Sequence, residues 1–231
     1  VSATPSNVSL ASSPLATLRE GRLTRRFIQL YAGLVLYGAS MALMVRSGLG
    51  LDPWDVFHQG ITEHTPFSFG TVVILASFVV LLAWIPLKQW PGIGTISNAI
   101  VIGLVTDAAL ALLTQPKALA LQIVFLVGGI VLNGVASAAY IGARLGPGPR
   151  DGLMTGLVRR TGRSVRLVRT TIEVTVLAIG WLLGGTVGVG TVLYAIGIGP
   201  LIHVLLPRLT VPPRAPDRLT VKPATPSTAE A

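Results

Sequence analysis

Two aspartates, Asp55 and Asp151, occupy matching settings: Leu49-Gly50-x-x-Pro53-x-Asp55 and Leu145-Gly146-x-x-Pro149-x-Asp151. Each proline suits the first position of a helix, where a missing N–H costs nothing. Each aspartate then falls in the first turn, near the positive end of the helix dipole. Around this shared frame the residues differ. Trp54 stands where Arg150 does, and His58 where Met154 does. Carboxylates so placed suit an ion or substrate path, with Trp54, Arg150 and His58 setting specificity. Two further acids, Asp107 and Glu173, lie inside apolar runs, where an ionisable group is costly and has a functional reading by default. Glu173 follows Arg169 by four residues, so a local ion pair is an equal alternative. Asp107 has no base within a helical turn, so its partner comes from another helix or it is protonated.

No catalytic set accompanies these acids. Cysteine is absent, and His58, His64 and His203 lack zinc-type spacing. No phosphate loop, H-E-x-x-H or Ser/His/Asp arrangement is present. The chain is therefore expected to be no enzyme, with no catalytic residue, no metal and no cofactor.

The elements that carry these residues are apolar. Of 231 residues, 51% are hydrophobic and 12% charged, about half the charge of a soluble domain. Mean hydropathy is +0.70. Apolar runs cover 27–45, 70–87, 95–114, 119–141, 168–186 and 190–206, each near the ~20 residues that cross a bilayer as a helix. The first run is too long for a signal-peptide core and is read as retained. The expected fold is all-α, a polytopic membrane helix bundle of six transmembrane helices. Residues 1–24 and 209–231, rich in Ser, Thr, Ala and Pro, are expected to be disordered tails flanking a membrane domain at 25–208.

The net charge of +9 is distributed by side. Arg19, Arg22, Arg25 and Arg26 precede the first run, while Asp52, Asp55 and Glu63 follow it. Arg144, Arg150, Arg159, Arg160, Arg163, Arg166 and Arg169 follow the fourth, and Arg208, Arg214, Arg218 and Lys222 the sixth. Six crossings place nearly all bases on one face, with both termini cytoplasmic. The run Arg159, Arg160, Arg163, Arg166 and Arg169 is read as a topology anchor meeting anionic headgroups. Bases interleaved with apolar runs do not form a nucleic-acid footprint.

The matched motifs belong to a longer duplication. At the same offset Gly60 pairs with Gly156, Thr65 with Thr161 and Ser68 with Ser164. Gly92-x-Gly94-Thr95 pairs with Gly188-x-Gly190-Thr191, Gly33 with Gly129 and Gly38 with Gly134. Repeat one spans 27–110 and repeat two 123–206, without a gap. Each repeat holds three runs. Three is odd, so the second copy enters from the opposite side, giving two inverted three-helix repeats. Secondary transporters with this architecture place their sites at the repeat interface. The segments 53–64 and 149–160 have two open readings. One is a pair of interfacial helices with ordinary start signals. The other is a pair of re-entrant half-helices entering from opposite faces.

The two motifs, with Trp84-Ile85-Pro86-Leu87 and the phrase Gly146-Pro147-Gly148-Pro149-Arg150-Asp151-Gly152-Leu153-Met154-Thr155-Gly156-Leu157, resemble those of the YczE/YyaS/YitT family of bacterial membrane proteins. The resemblance covers residues 25–208 and implies a protein of the bacterial cytoplasmic membrane. It carries over no catalytic or ligand residue. The expected function is a small secondary transporter or exporter of a small solute. The alternative is an accessory protein that scaffolds a membrane-associated enzyme or pathway.

Overall fold

The structure is a computed structural model describing residues 22–212. The expected disordered tails fall outside the described residues, except for the few positions nearest the membrane domain. Among the described residues there are eight helices: α1 (Leu23–Ser47), α2 (Pro53–Glu63), α3 (Phe69–Trp84), α4 (Ile93–Leu112), α5 (Leu119–Gly142), α6 (Pro149–Thr161), α7 (Val165–Leu182) and α8 (Val189–Leu209). Each of the six apolar runs lies largely within a helix, and the two Pro-Asp segments form the short helices α2 and α6.

Local chemistry sets these boundaries. Asp52 caps α2, its Oδ1 accepting from the Trp54 and Asp55 amides. Ser68 and Ser164, a pair matched in sequence, cap α3 and α7 through the Thr71 and Leu167 amides. The repeated Gly-x-Gly-Thr opens α4 and α8. There the Thr95 hydroxyl accepts from the Gly92 amide and the Thr191 hydroxyl from the Gly188 amide, both at 3.2 Å. Gly50 and Gly146 hold φ of 116° and 127°, a region open to glycine and strained for other residues. Those two turns send the chain from α1 into α2 and from α5 into α6.

Helix α1 packs along α5, and the matched glycines permit the close approach. A Cβ on Gly33 would sit 2.9 Å from the Tyr140 amide nitrogen, and one on Gly129 3.1 Å from the Ser40 carbonyl oxygen. The helices run antiparallel, since Gly33 faces Tyr140 and Met44 faces Gly129. Asn133 donates to Ser40 across this seam at 3.0 Å and accepts from the Tyr194 hydroxyl at 3.1 Å. Helices α4 and α8 flank the pair, α4 on α1 and α8 on α5.

The short helices cross between the halves of the chain. Helix α2 lies on α7, and α6 lies on α3. Glycines Gly180 and Gly185 make room for α2, because a Cβ on either would stand 2.4 Å or less from its backbone. On the opposite side the bulk is reversed. Trp84 of α3 fills the space over Gly152, where a Cβ would lie 1.9 Å from the indole ring, and its Nε1 donates to the Pro149 carbonyl at 3.0 Å. Two backbone bonds repeat the pattern. The Gly94 amide donates to the Leu49-matched carbonyl of Leu145 at 2.9 Å, and the Gly190 amide donates to the Leu49 carbonyl at 2.8 Å.

Interior contacts centre on Leu30, Leu34, Met41, Phe69 and Ile102, with a second cluster of Met44, Leu51, Val56, Leu126 and Ile130. Large apolar side chains also point outward along the helices, among them Val79, Leu112, Leu182, Val189 and Ile196. So much outward apolar surface suits lipid and would drive association in water. Four helices, α1, α4, α5 and α8, are long and apolar enough to cross a membrane. Helix α3 is apolar but has 16 residues, about 24 Å against a core of about 30 Å. Helix α7 has 18 residues and carries Arg166, Arg169 and Glu173.

Candidate functional site

One long side chain joins the starts of the two short helices. Arg150, at the second position of α6, reaches Asp52 Oδ1 at 3.9 Å and Asp55 Oδ1 at 3.8 Å. Its guanidinium lies 5.0 Å from the centre of the Trp54 ring, a cation–π distance. Both aspartates are buried, at 2% and 0% exposure, while the Arg150 side chain is 24% exposed. Asp55 Oδ1 also faces His58 Nδ1 at 3.2 Å. The His58 ring is buried between Trp54 and Phe69, with ring centres 6.3 and 6.1 Å away. On α6, Asp151 Oδ2 accepts from the Tyr140 hydroxyl at 2.6 Å. Tyr140 in turn meets Tyr37 edge to face at 6.0 Å.

Two cavities flank this cluster. The larger, about 200 Å³, is lined by Asp52, Pro53 and Trp54 and by Tyr37, Ser137, Tyr140 and Tyr194. Arg169 and Glu173 also line it; they are 49% and 36% exposed and paired at 2.8 Å. The smaller, about 60 Å³, lies between α3, α4 and α6 and shares Tyr37, Tyr140, Arg150 and Asp151. Tyr37 sits near the middle of α1, so both cavities reach that depth.

Electrostatics at the cluster are one-sided. Asp52, Asp55 and Asp151 outnumber Arg150. Burial pushes the Asp52 carboxyl from 3.8 up to about 8; the neighbouring Asp55 charge adds to the rise and Arg150 opposes it. Burial raises Asp55 too, again against Arg150. Burial lowers His58, so its imidazole is neutral and donates from Nδ1 to Asp55. One oxygen of each carboxylate, Asp52 Oδ2 and Asp55 Oδ2, is buried with no hydrogen-bond partner. An arrangement of spare acid oxygens beside an aromatic-walled cavity can hold a proton or a small cation.

Of the residues singled out from sequence, the structure brings Asp55, Trp54, Arg150 and His58 into direct contact, with Asp151 beside them. Glu173 also lines the larger cavity, in its ion pair with Arg169. Asp107 stands apart. Its carboxylate accepts from the Ser68 hydroxyl and, at 2.7 Å, from the Gly70 amide, so it holds the start of α3. Of the two readings open for it in sequence, a partner from another element or protonation, the structure supplies a partner. Arg159, Arg160, Arg163 and Arg166 are exposed at the end of α6 and the start of α7, and Arg160 donates to the Pro86 carbonyl at 3.2 Å.

In the sequence Asp52 stands out only as one of the acids after the first apolar run, and Tyr37, Tyr140 and Tyr194 do not stand out at all. The available signal was a phenol hydroxyl within each of three otherwise apolar runs. Among the described residues no group of three His, Cys, Asp or Glu side chains could hold a metal ion.

Comparison with known proteins agrees with the motifs. A family of unknown function, DUF6198, matches residues 24–207. The chain belongs to this family. A relative from Haemophilus influenzae, named an uncharacterized protein, is 43% identical over 173 residues, covering 75% of this chain and 79% of its own. The uncharacterized membrane protein YczE of Bacillus subtilis is 32% identical over 188 residues, covering 80% and 87%. The uncharacterized protein YyaS, also of Bacillus subtilis, is 24% identical over 179 residues, covering 76% and 89%. The family resemblance expected from the Gly-Pro-Asp motifs therefore holds for YczE and YyaS. No solved structure matches. A membrane relative and four helices able to cross a bilayer make this family member a membrane protein.

Proposed function

We propose that this protein is a small secondary transporter of the bacterial cytoplasmic membrane, working through the cavity between α2 and α6. The observation that carries the reading is the Arg150 bridge from the start of α6 to the buried acids at the start of α2, beside a cavity reaching mid-length of α1. In this reading six helices cross the bilayer and form two inverted repeats of three. The reciprocal bonds Gly94 to Leu145 and Gly190 to Leu49 support it, as does the exchange of α2 and α6 between the halves. Helices α3 and α7 fall short as spans because α2 and α6 occupy the remaining depth on opposite faces. Both termini are cytoplasmic, and Arg159, Arg160, Arg163 and Arg166 anchor to anionic headgroups. The larger cavity then opens to the cytoplasm at Arg169 and Glu173.

The cavity also suggests the solute. Its lining acids, Asp52, Asp151 and Glu173, outnumber its bases, Arg150 and Arg169, and its walls carry Trp54 and three tyrosines. That chemistry favours a small solute bearing an ammonium group. No role as an enzyme or cofactor carrier is part of this reading. The test is uptake into proteoliposomes across a panel of amines, amino acids and organic anions. Wild type is expected to move an ammonium-bearing solute, and the Asp55→Asn, Asp151→Asn double variant to lose at least tenfold in rate. Equal silence of both proteins across the panel would remove the reading and favour an accessory, scaffolding role.

A further inference from the structure

We propose that Asp52 and Asp55 together hold one exchangeable proton, shared between their Oδ2 atoms. The two carboxyl groups stand together at the start of α2: Asp52 Oδ1 accepts from the Asp55 amide at 3.3 Å, and the Arg150 guanidinium lies 3.9 Å from one and 3.8 Å from the other. Their Oδ1 atoms are occupied. That of Asp52 accepts from the Trp54 and Asp55 amides, and that of Asp55 faces His58. Their Oδ2 atoms are buried and have no partner. Two ionised carboxylates in this position would leave both oxygens unsatisfied and repel each other, which is costly away from water. A single proton removes both penalties, since one carboxyl then donates to the other. Paired acids sharing a proton are an established solution to close carboxylates.

The surroundings fit one proton better than none or two. From α6, Arg150 offers one positive charge to the pair, at 3.8 and 3.9 Å and so without a close hydrogen bond. From α2 itself, His58 faces Asp55 as a neutral donor. Asp151 is turned to Tyr140. Helices α1, α5 and α8 present the phenols of Tyr37, Tyr140 and Tyr194. Helix α7 offers Arg169 and Glu173, paired with each other at 2.8 Å and partly exposed. Helix α3 has no titratable residue, and α4 only Asp107, held by Ser68 and Gly70. With one shared proton the pair carries one negative charge against one guanidinium.

The exchange partner is water in the cavity. Asp52 lines it and Asp55 lies behind, so the proton leaves as hydronium and returns the same way. Loss of the proton leaves a second negative charge facing the cavity, which attracts an ammonium group. Proton and solute then exclude one another, and outward solute movement is exchanged for inward protons. As a coupling site this rests on the transport reading; as a proton site it does not.

The test is infrared difference spectroscopy of the full chain in lipid nanodiscs, titrated across neutral pH in water and in deuterium oxide. The expected result is a deuterium-sensitive stretch of a protonated carboxyl that disappears as pH rises. It should be lost in Asp52→Asn and in Asp55→Asn separately, because an asparagine amide donates to the remaining carboxylate and holds it ionised. Asn at position 52 also keeps the helix cap. Asp55→Glu should retain a band with a shifted midpoint, and Asp107→Asn should leave it unchanged. Absence of a titrating band in wild type, or its survival in both asparagine variants, overturns the proposal. A band that behaves as expected without any solute transport leaves the proton site standing and removes the transport reading. Transport without the band does the reverse.

Discussion

At the residue scale, the balance between Asp52, Asp55 and Arg150 makes stability depend on pH. The Asp52 carboxyl rises from 3.8 to about 8 on folding, so the folded state binds its proton more tightly than the unfolded state. Stability is then highest below the unfolded value and falls as pH rises toward the folded value. The melting temperature of detergent-purified wild type should fall between about pH 5 and pH 8, by at least the 2–4 °C that about 1 kcal/mol represents in a chain of this size. Asp52→Asn should flatten that slope. Arg150→Gln should steepen it, because ionised acids lose their counter-charge at high pH and regain neutrality at low pH; breaking such a pair costs about 3 kcal/mol. A melting temperature indifferent to pH in all three proteins would contradict this balance. The Pro-x-Asp duplication points to Asp55 and Asp151 from sequence alone. The convergence of Asp52, Tyr37, Tyr140 and Tyr194 was not legible, because it depends on which helices pack together.

At the element scale, the two short helices are seated by opposite means. Helix α2 brings Val56 and Phe57 against Gly180, whereas α6 brings Gly152 against Trp84. Gly152→Ala should therefore force the indole aside, where there is no flexible neighbour to yield. Overpacking of this kind costs about 1–3 kcal/mol, read as a lower melting temperature. A Trp84→Phe exchange in the same chain should recover part of it by vacating the space. If the two substitutions add with no recovery, the seating of α6 on α3 is wrong. The starts of α2 and α6 were legible in sequence because Pro53 and Pro149 are local signals, whereas Ser68, Ser164 and the two Gly-x-Gly-Thr runs stood out only as matched pairs. The cross-seating of α2 on α7 and α6 on α3 was not, since a sequence duplication does not say which half a segment packs against. Asp107 illustrates the limit. Its isolation in sequence left open a partner from another element or a proton, and did not show that Ser68 and the Gly70 amide bind it.

At the scale of the whole molecule, membrane character was read from composition and apolar runs, and it holds. Hydropathy alone gave six runs of similar weight. Helix length and composition separate them into four long apolar helices and two, α3 and α7, each of which packs against a short helix. The central claim is that a water-filled cavity reaches mid-membrane from the cytoplasmic side and ends at the acids. The chain has no cysteine, so a single thiol reports without background. Ser137 is buried at 5% exposure and lines the larger cavity, and Ser137→Cys changes little in size. The decisive measurement is the reaction of that thiol with a small membrane-impermeant reagent applied to one face of oriented vesicles at a time. Modification from the cytoplasmic face only, slowed by a transported solute, is the expected result. Modification from the outer face only, or from neither, would contradict it.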